Sequence, residues 1–404
     1  MWQTLTKVRK LDNLEDVWAI MLVQSAVFFI KTIVYAAHCA LWSGGLVGVD
    51  SKPFGHDFIA FWAASRLLKQ GDIAGIYSVP AFSGTLAHLF GQPLSLYWWY
   101  PPHFLFLIWP LTFIYSYKTA YIAWSAFTAA ALAIAMFWRT SLGRNWRWLV
   151  FFSPGFYVCL DTGQNGLLFA ALLAGGFRLL KPAPWISGIV FGLLILKPQF
   201  GILIPFVLLA LREYRPLAGM ILTSAALVLA SAAAFGMQSW QDYFHTLMLY
   251  QAQFLSLASA KMISVHAAVA SLGGPAPLAA GLQMAIALLV VVLLCLKLRR
   301  MRGASWQEIL LLVAPAIYLV TPYVFPYDAC LLSVAWLFWL AERERAGGKI
   351  AAFHTLLWLL AWYVPMLYDP RVIREGLSVL APVLFLLIFA VSLRPSRPTA
   401  AMPV

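Results

Sequence analysis

The sequence predicts an all-α, polytopic membrane protein. Three observations predict it: 62% of the residues are hydrophobic, only 11% are charged, and the mean hydropathy is +0.82. A soluble chain is about 45–50% apolar and about 25% charged. This chain lacks the polar residues to cover a water-facing surface, which excludes a cytosolic enzyme and a disordered protein. At roughly 20 residues per crossing helix, the apolar residues suffice for about 12 transmembrane helices. The 18 Trp, 16 Tyr and 28 Phe supply interfacial anchors.

Apolar runs place the spans, in order, at roughly 17–43, 103–116, 119–138, 148–160, 165–180, 184–211, 216–236, 277–297, 306–321, 327–341, 350–367 and 377–393. The first sixteen residues are polar, and the run after them is too long for a signal-peptide core, so it stays attached as the first span. The run 103–116 is short for a crossing. The run 184–211 is interrupted at Lys197-Pro198 and reads as one broken helix or two short ones. The chain reads as a single integral membrane domain over 1–404, without a soluble domain, repeat or low-complexity segment.

The net charge of +13 does not form a stripe that would fit nucleic acid. It falls in small groups between apolar runs: Lys7, Arg9 and Lys10; Arg139, Arg144 and Arg147; Arg212 and Arg215; Lys297, Arg299, Arg300 and Arg302; Arg343, Arg345 and Lys349; Arg394 and Arg397. Short basic loops mark cytoplasmic faces. Both termini then lie inside, which calls for an even number of spans. The 139–147 loop conflicts with this, because two full crossings over 103–138 put it outside. The cysteines, Cys39, Cys159, Cys295 and Cys330, lie in or beside apolar runs and read as small buried residues.

Two outer loops stand out by length, about 44–102 and 237–276. In the first, Phe58, Phe61, Trp62, Ser65 and Leu68 recur at helical spacing, which predicts an amphipathic helix along the membrane surface. The second, with Trp240, Tyr243, Phe244, Tyr250 and Phe254, reads as an aromatic surface helix.

Five polar motifs are candidates for chemistry. Asp57, between His56 and Phe58, is either the N-cap of the helix starting at Phe58 or a general base at the bilayer edge, and the two roles are compatible. In YWWYPPHF, Tyr100 and His103 sit at a proline-set entry to the second span. This is an aromatic belt, or a site for a phosphate or hydroxyl. In DTGQNG, residues 161–166, a turn explains the glycines and Asn165 but not Gln164. Lys197, in Lys197-Pro198-Gln199, is costly within a membrane. It is either a snorkelling lysine or an anion contact, with Gln199 as polar support. In TPYVFPYDAC, Tyr327 and Asp328 either start a helix or face a sugar hydroxyl or a basic partner. Lys261 and His266, on the second outer loop, are candidates for an acceptor or phosphate site. No metal-ligand spacing is evident, and neither a metal nor another cofactor is expected.

Taken in order, HDFIAFWAASRLLKQGD with IYSV, YPPHFLFLIWPL with AYIAW, GQNG, GIVFGLLILKPQFG, SVHAAVASLG and TPYVFPYD resemble glycosyltransferase family 87 over about residues 55–340. That family includes polyprenol-phosphate-mannose-dependent mannosyltransferases. The resemblance implies a GT-C fold, an active site on the outer (periplasmic) face of the inner (plasma) membrane, and a polyprenyl-phosphate-sugar donor serving a lipid or glycan acceptor. It implies inverting single displacement with Asp57 as the base. Lys197 is the candidate for the departing phosphate, with Gln164 and Gln199 in support. Actinobacterial members resemble SPxSWxHH where this chain has TPYVFPYD, so their paired, phosphate-associated histidines fall at Tyr327 and Asp328.

The leading expectation is therefore a membrane hexosyltransferase, with a transporter or flippase of lipid-linked sugars as the alternative. A transporter would share the spans and the buried lysine but would not need a carboxylate on a first-loop helix. A glycan polymerase or ligase ranks third, because neither outer loop is rich in arginine.

Overall fold

The computed structural model describes residues 13–41, 55–91, 94, 96–138, 146–301, 303–347, 350–368, 376 and 379–394. The basic residues expected at 7–10, 139, 144, 302, 349 and 397, and the start of the first outer loop at 44–54, lie outside the described residues. Among the described residues the regular structure is helical, without strands.

The helices, in chain order, are α1 (Leu14–Leu41), α2 (Phe58–Gln70), α3 (Ile73–Tyr77), α4 (Val79–Phe90), α5 (Tyr117–Phe137), α6 (Pro154–Thr162), α7 (Gly166–Leu179), α8 (Pro184–Gly192), α9 (Pro198–Gly201), α10 (Ile204–Leu211), α11 (Tyr214–Phe235), α12 (Met237–Ala258), α13 (Val265–Ser271), α14 (Ala276–Arg300), α15 (Trp306–Val320), α16 (Cys330–Arg345), α17 (Ala352–Trp362) and α18 (Leu380–Ser392). Helix boundaries follow local chemistry. Ser116 accepts from Thr119 N–H at the start of α5, and Ser305 and Glu308 form a reciprocal capping box on α15. Gly71, with φ +76°, ends α2 in a left-handed cap.

Every expected run contains helix, though the runs differ widely in helix length. Among the described residues four helices are long and apolar enough to cross a membrane: Leu14–Cys39, Tyr117–Phe137, Tyr214–Phe235 and Ala276–Arg300. The other apolar helices are shorter. The run 103–116 is 3₁₀ over Pro102–Phe104, one α-turn over Leu105–Ile108, then 3₁₀ over Trp109–Phe113. Proline removes the N–H that a continuous helix needs, and Pro101, Pro102 and Pro110 fall along this stretch. The run 184–211 breaks at Lys197-Pro198, after the 3₁₀ turn Leu193–Leu196.

Helices α15 and α16 lie at the centre, and the long helices face outward. In α16 all of Cys330–Ala341 is buried, and α15 is buried over Ile309–Leu319. A helix that is apolar all round belongs inside a bundle. The long helices instead expose large apolar side chains, such as Val23, Ile30 and Val34 on α1 and Leu288, Leu289 and Val292 on α14. That is the surface a lipid-facing helix presents. Gly188 and Gly192, one turn apart on α8, let α11 approach closely. A Cβ at Gly188 would lie 2.8 Å from the Gly219 Cα, and one at Gly192 would lie 2.5 Å from the Thr223 Cβ.

The first outer loop carries α2 to α4. Helix α2 begins where the spacing predicts, and its apolar face, including Phe58, Phe61, Trp62 and Leu67, is buried against the protein. The second outer loop is mostly α12. It is tied to the 321–329 segment by the Ile263 N–H, which donates to the Val324 carbonyl at 2.9 Å.

Candidate active site

The site is assembled from turns. Gly55 (φ +74°) and His56 (φ +37°) are both left-handed and form a turn just ahead of α2. His56 has a Cβ and carries strain there, of order 1–3 kcal/mol. Across from it, Gly163 (φ +63°) ends α6, and a Cβ at that position would lie 2.5 Å from the Phe58 Cβ. Only glycine fits. The Asp57 N–H donates to the Thr162 carbonyl at 3.1 Å and locks the two turns together.

Asp57 occupies the N-cap position of α2, but its side chain makes no capping hydrogen bond. Instead, Gln164 Nε2 donates to Asp57 Oδ2 at 3.1 Å. Position and role, which the sequence left open together, separate here: the residue caps by location and its half-buried carboxylate faces the 161–166 turn.

A continuous polar chain runs inward from that carboxylate. Tyr100 OH donates to Gln164 Oε1 at 3.4 Å, and Asn165 Nδ2 donates to Tyr100 OH at 2.9 Å. Lys197 Nζ donates to Asn165 Oδ1 at 3.2 Å and to Asp328 Oδ1 at 2.5 Å. The other Asp328 oxygen accepts the Phe325 N–H at 3.1 Å. Desolvation, and after it the charge of Asp328, pushes the Tyr100 phenol above its ordinary value, so it stays a neutral donor.

Lys197 does not snorkel. Its side chain is 5% exposed and that of Asp328 is 0% exposed, and the Phe169, Phe200 and Tyr327 rings lie 5.8, 5.0 and 5.3 Å from Nζ. The break after Leu196 permits this. Lys197 is non-helical (φ −138°, ψ 80°), so its side chain leaves the helix direction and reaches the 326–329 turn. A buried ion pair offsets its desolvation cost only when its remaining donors and acceptors are satisfied, as Asn165 and the Phe325 N–H do here.

The other expected residues divide. Tyr327 is buried, stacks on Phe325 at 5.3 Å and belongs to the wall around Lys197. His103 is buried, and its Nε2–H donates to the Ile195 carbonyl at 2.7 Å, which fastens the broken second run to the strand of chain leading to Lys197. Gln199 is half-buried and stands outside the polar chain. Lys261 is exposed on a 3₁₀ turn. His266 is buried on α13, where its backbone N–H donates to Gln283 Oε1 at 3.1 Å, and burial lowers its imidazole below the ordinary value. The 237–276 segment therefore brings neither Lys261 nor His266 into the hydrogen-bonded chain.

Sequence reading missed the pairing of His56 with Asp161, whose Nε2 and Oδ2 are 3.9 Å apart. It also missed the support behind them. Tyr35 OH lies 3.0 Å from Tyr121 OH and donates to the Asp161 carbonyl at 3.3 Å, and Tyr121 OH donates to the Leu160 carbonyl. The available signal was the coincidence of a histidine beside Asp57 and a fourth polar residue in DTGQNG.

Comparison with curated proteins gives no match, and neither does comparison with solved structures. A family model, glycosyltransferase family 87, matches residues 98–322, more than half of the chain. The match covers Tyr100, Gln164, Asn165 and Lys197. It begins after Asp57 and ends before Asp328, both of which join the matched region through the hydrogen bonds just described. The chain belongs to glycosyltransferase family 87, a helical membrane protein whose activity is glycosyl transfer.

Proposed function

We propose that the protein moves a hexose, mannose-like in class, from a polyprenyl-phosphate-sugar donor to a hydroxyl of a lipid or glycan acceptor. In this reading the transfer takes place on the outer, periplasmic face of the inner membrane, within a GT-C type fold. Asp57 is the base of an inverting single displacement. The acceptor oxygen bonds to C1 of the sugar, the bond from C1 to the phosphate oxygen breaks, Asp57 takes the acceptor proton, and the electron pair leaves with the phosphate. No metal or other cofactor enters these steps.

One observation carries the reading. A half-buried carboxylate at a helix start is held by a glutamine amide rather than spent on the helix cap. A base held this way keeps a fixed direction toward the acceptor hydroxyl. Tyr100, Gln164 and Asn165 act as the frame that sets that direction. Lys197 and Asp328 anchor the frame from below, so the lysine works through Asn165.

The test is to incubate the purified protein, in lipid, with a panel of polyprenyl-phosphate sugars and a membrane-lipid acceptor extract. The reading expects one donor to be consumed, polyprenyl phosphate to be released, and the anomer to be inverted in the product. Movement of an intact lipid-linked sugar across vesicles without donor consumption would favour a flippase instead.

A further inference from the structure

We propose that His56, paired with Asp161, is the group that contacts the donor phosphate. The proposal deepens the reading above and rests on it.

Three observations lead there. First, Lys197 is enclosed: its ammonium is bonded to Asp328 and Asn165, and the pair is 5% and 0% exposed. An incoming anion would have to displace Asp328 to reach it. Second, the His56 and Asp161 side chains are 28% and 25% exposed, and both residues directly precede the pair, Asp57 and Thr162, whose backbone bond joins the two turns. Two carboxylates, Asp57 and Asp161, repel an approaching phosphate, so an anionic donor needs a cationic or hydrogen-bonding group beside them. His56 is that group, because a ring N–H can donate to a phosphate oxygen and Asp161 Oδ2 lies 3.9 Å from its Nε2. Third, His56 holds a left-handed backbone, φ +37°, in a residue with a Cβ. The surrounding turns maintain that conformation, and strain kept in this way concentrates at working residues.

The pairing distance of 3.9 Å is longer than a hydrogen bond. The imidazole is therefore oriented by Asp161 without being closed off by it. In the displacement, His56 donates a hydrogen bond to the phosphate oxygen that receives the electron pair and keeps its own proton. Asp161 is a positioning residue that acts through His56.

The experiment measures binding of a short-chain polyprenyl phosphate, and of the neutral polyprenol of equal length, to the full-length protein in nanodiscs. The variants are His56→Gly, His56→Asn and Asp161→Asn. Glycine and asparagine accept a positive φ, so both His56 variants keep the turn. The expected result is about tenfold weaker phosphate binding for both His56 variants, a smaller loss for Asp161→Asn, and unchanged polyprenol binding. The melting temperature of His56→Gly should equal or exceed that of the unaltered protein. Unaltered phosphate binding in both His56 variants would overturn the proposal while leaving the donor class standing. If the unaltered protein itself does not prefer the phosphate over the alcohol, the donor class fails too.

Discussion

The two ends of the polar chain are built from the same kinds of residue and kept in opposite environments. At the inner end, Lys197 and Asp328 are sealed among Phe169, Phe200 and Tyr327. At the outer end, Asp57 is half-buried and His56 and Asp161 are each about a quarter exposed. The difference assigns work. A carboxylate that must meet a substrate hydroxyl needs an open side, whereas a sealed ion pair fixes geometry. Between them, Gln164, Tyr100 and Asn165 join the inner end to the outer one by hydrogen bonds.

The comparison can be broken most forcefully at the inner end. Lys197→Met leaves the Asp328 carboxylate buried without its cation, at a cost of about 3–5 kcal/mol. Thermal melting in detergent should show a large loss. The double variant Lys197→Met with Asp328→Leu should recover most of it, because an apolar pair of similar volume replaces the ion pair. A Lys197→Met protein with full stability and lost donor binding would make the lysine a substrate contact.

Gly163→Ala attacks the joint between the two turns. The new methyl meets the Phe58 Cβ and sits on a positive φ, so a loss of about 1–3 kcal/mol is expected. Transfer should fall as well, because Asp57 moves with the turn. Unchanged activity would mean that the turn does not set the base.

Tyr100→Phe is the gentlest break. It deletes one hydroxyl that links Gln164 to Asn165, worth about 1 kcal/mol. The expectation is a several-fold drop in kcat with little change in donor KM. An effect on KM alone would place Tyr100 against the substrate.

Much of this was legible in the sequence. The helix from Phe58 followed from apolar spacing, and the break at Lys197-Pro198 followed from a proline beside a charge that a membrane span does not tolerate. Asp57, Gln164, Asn165, Lys197 and Asp328 each stood out as polar groups beside apolar runs, and for Gln164 and Lys197 a turn or a cap was not a sufficient explanation. Their pairing was not legible. Lys197 and Asp328 lie 131 positions apart, and Asp57 and Gln164 lie 107 apart. Hydropathy says only that a buried lysine needs a partner. The run 103–116 reads as short for a crossing, but its breakdown into 3₁₀ and α turns was not legible, because hydropathy counts apolar residues without counting the N–H groups that proline removes. Gln199, Lys261 and His266 were singled out by residue type, and the polar chain passes them by. The strain at His56 was invisible, since nothing in His-Asp-Phe announces a left-handed residue.

The central claim is that Asp57 performs the chemistry and the rest of the polar chain aims it. The direct test is sugar transfer by purified Asp57→Asn protein, beside its melting temperature, with a donor the unaltered protein consumes. Asparagine keeps the size of the side chain and an oxygen for Gln164 but takes no proton. The account expects melting within a few degrees of the unaltered protein and a transfer rate lower by about 10²–10⁴-fold. Transfer at the unaltered rate by a folded Asp57→Asn protein would contradict it.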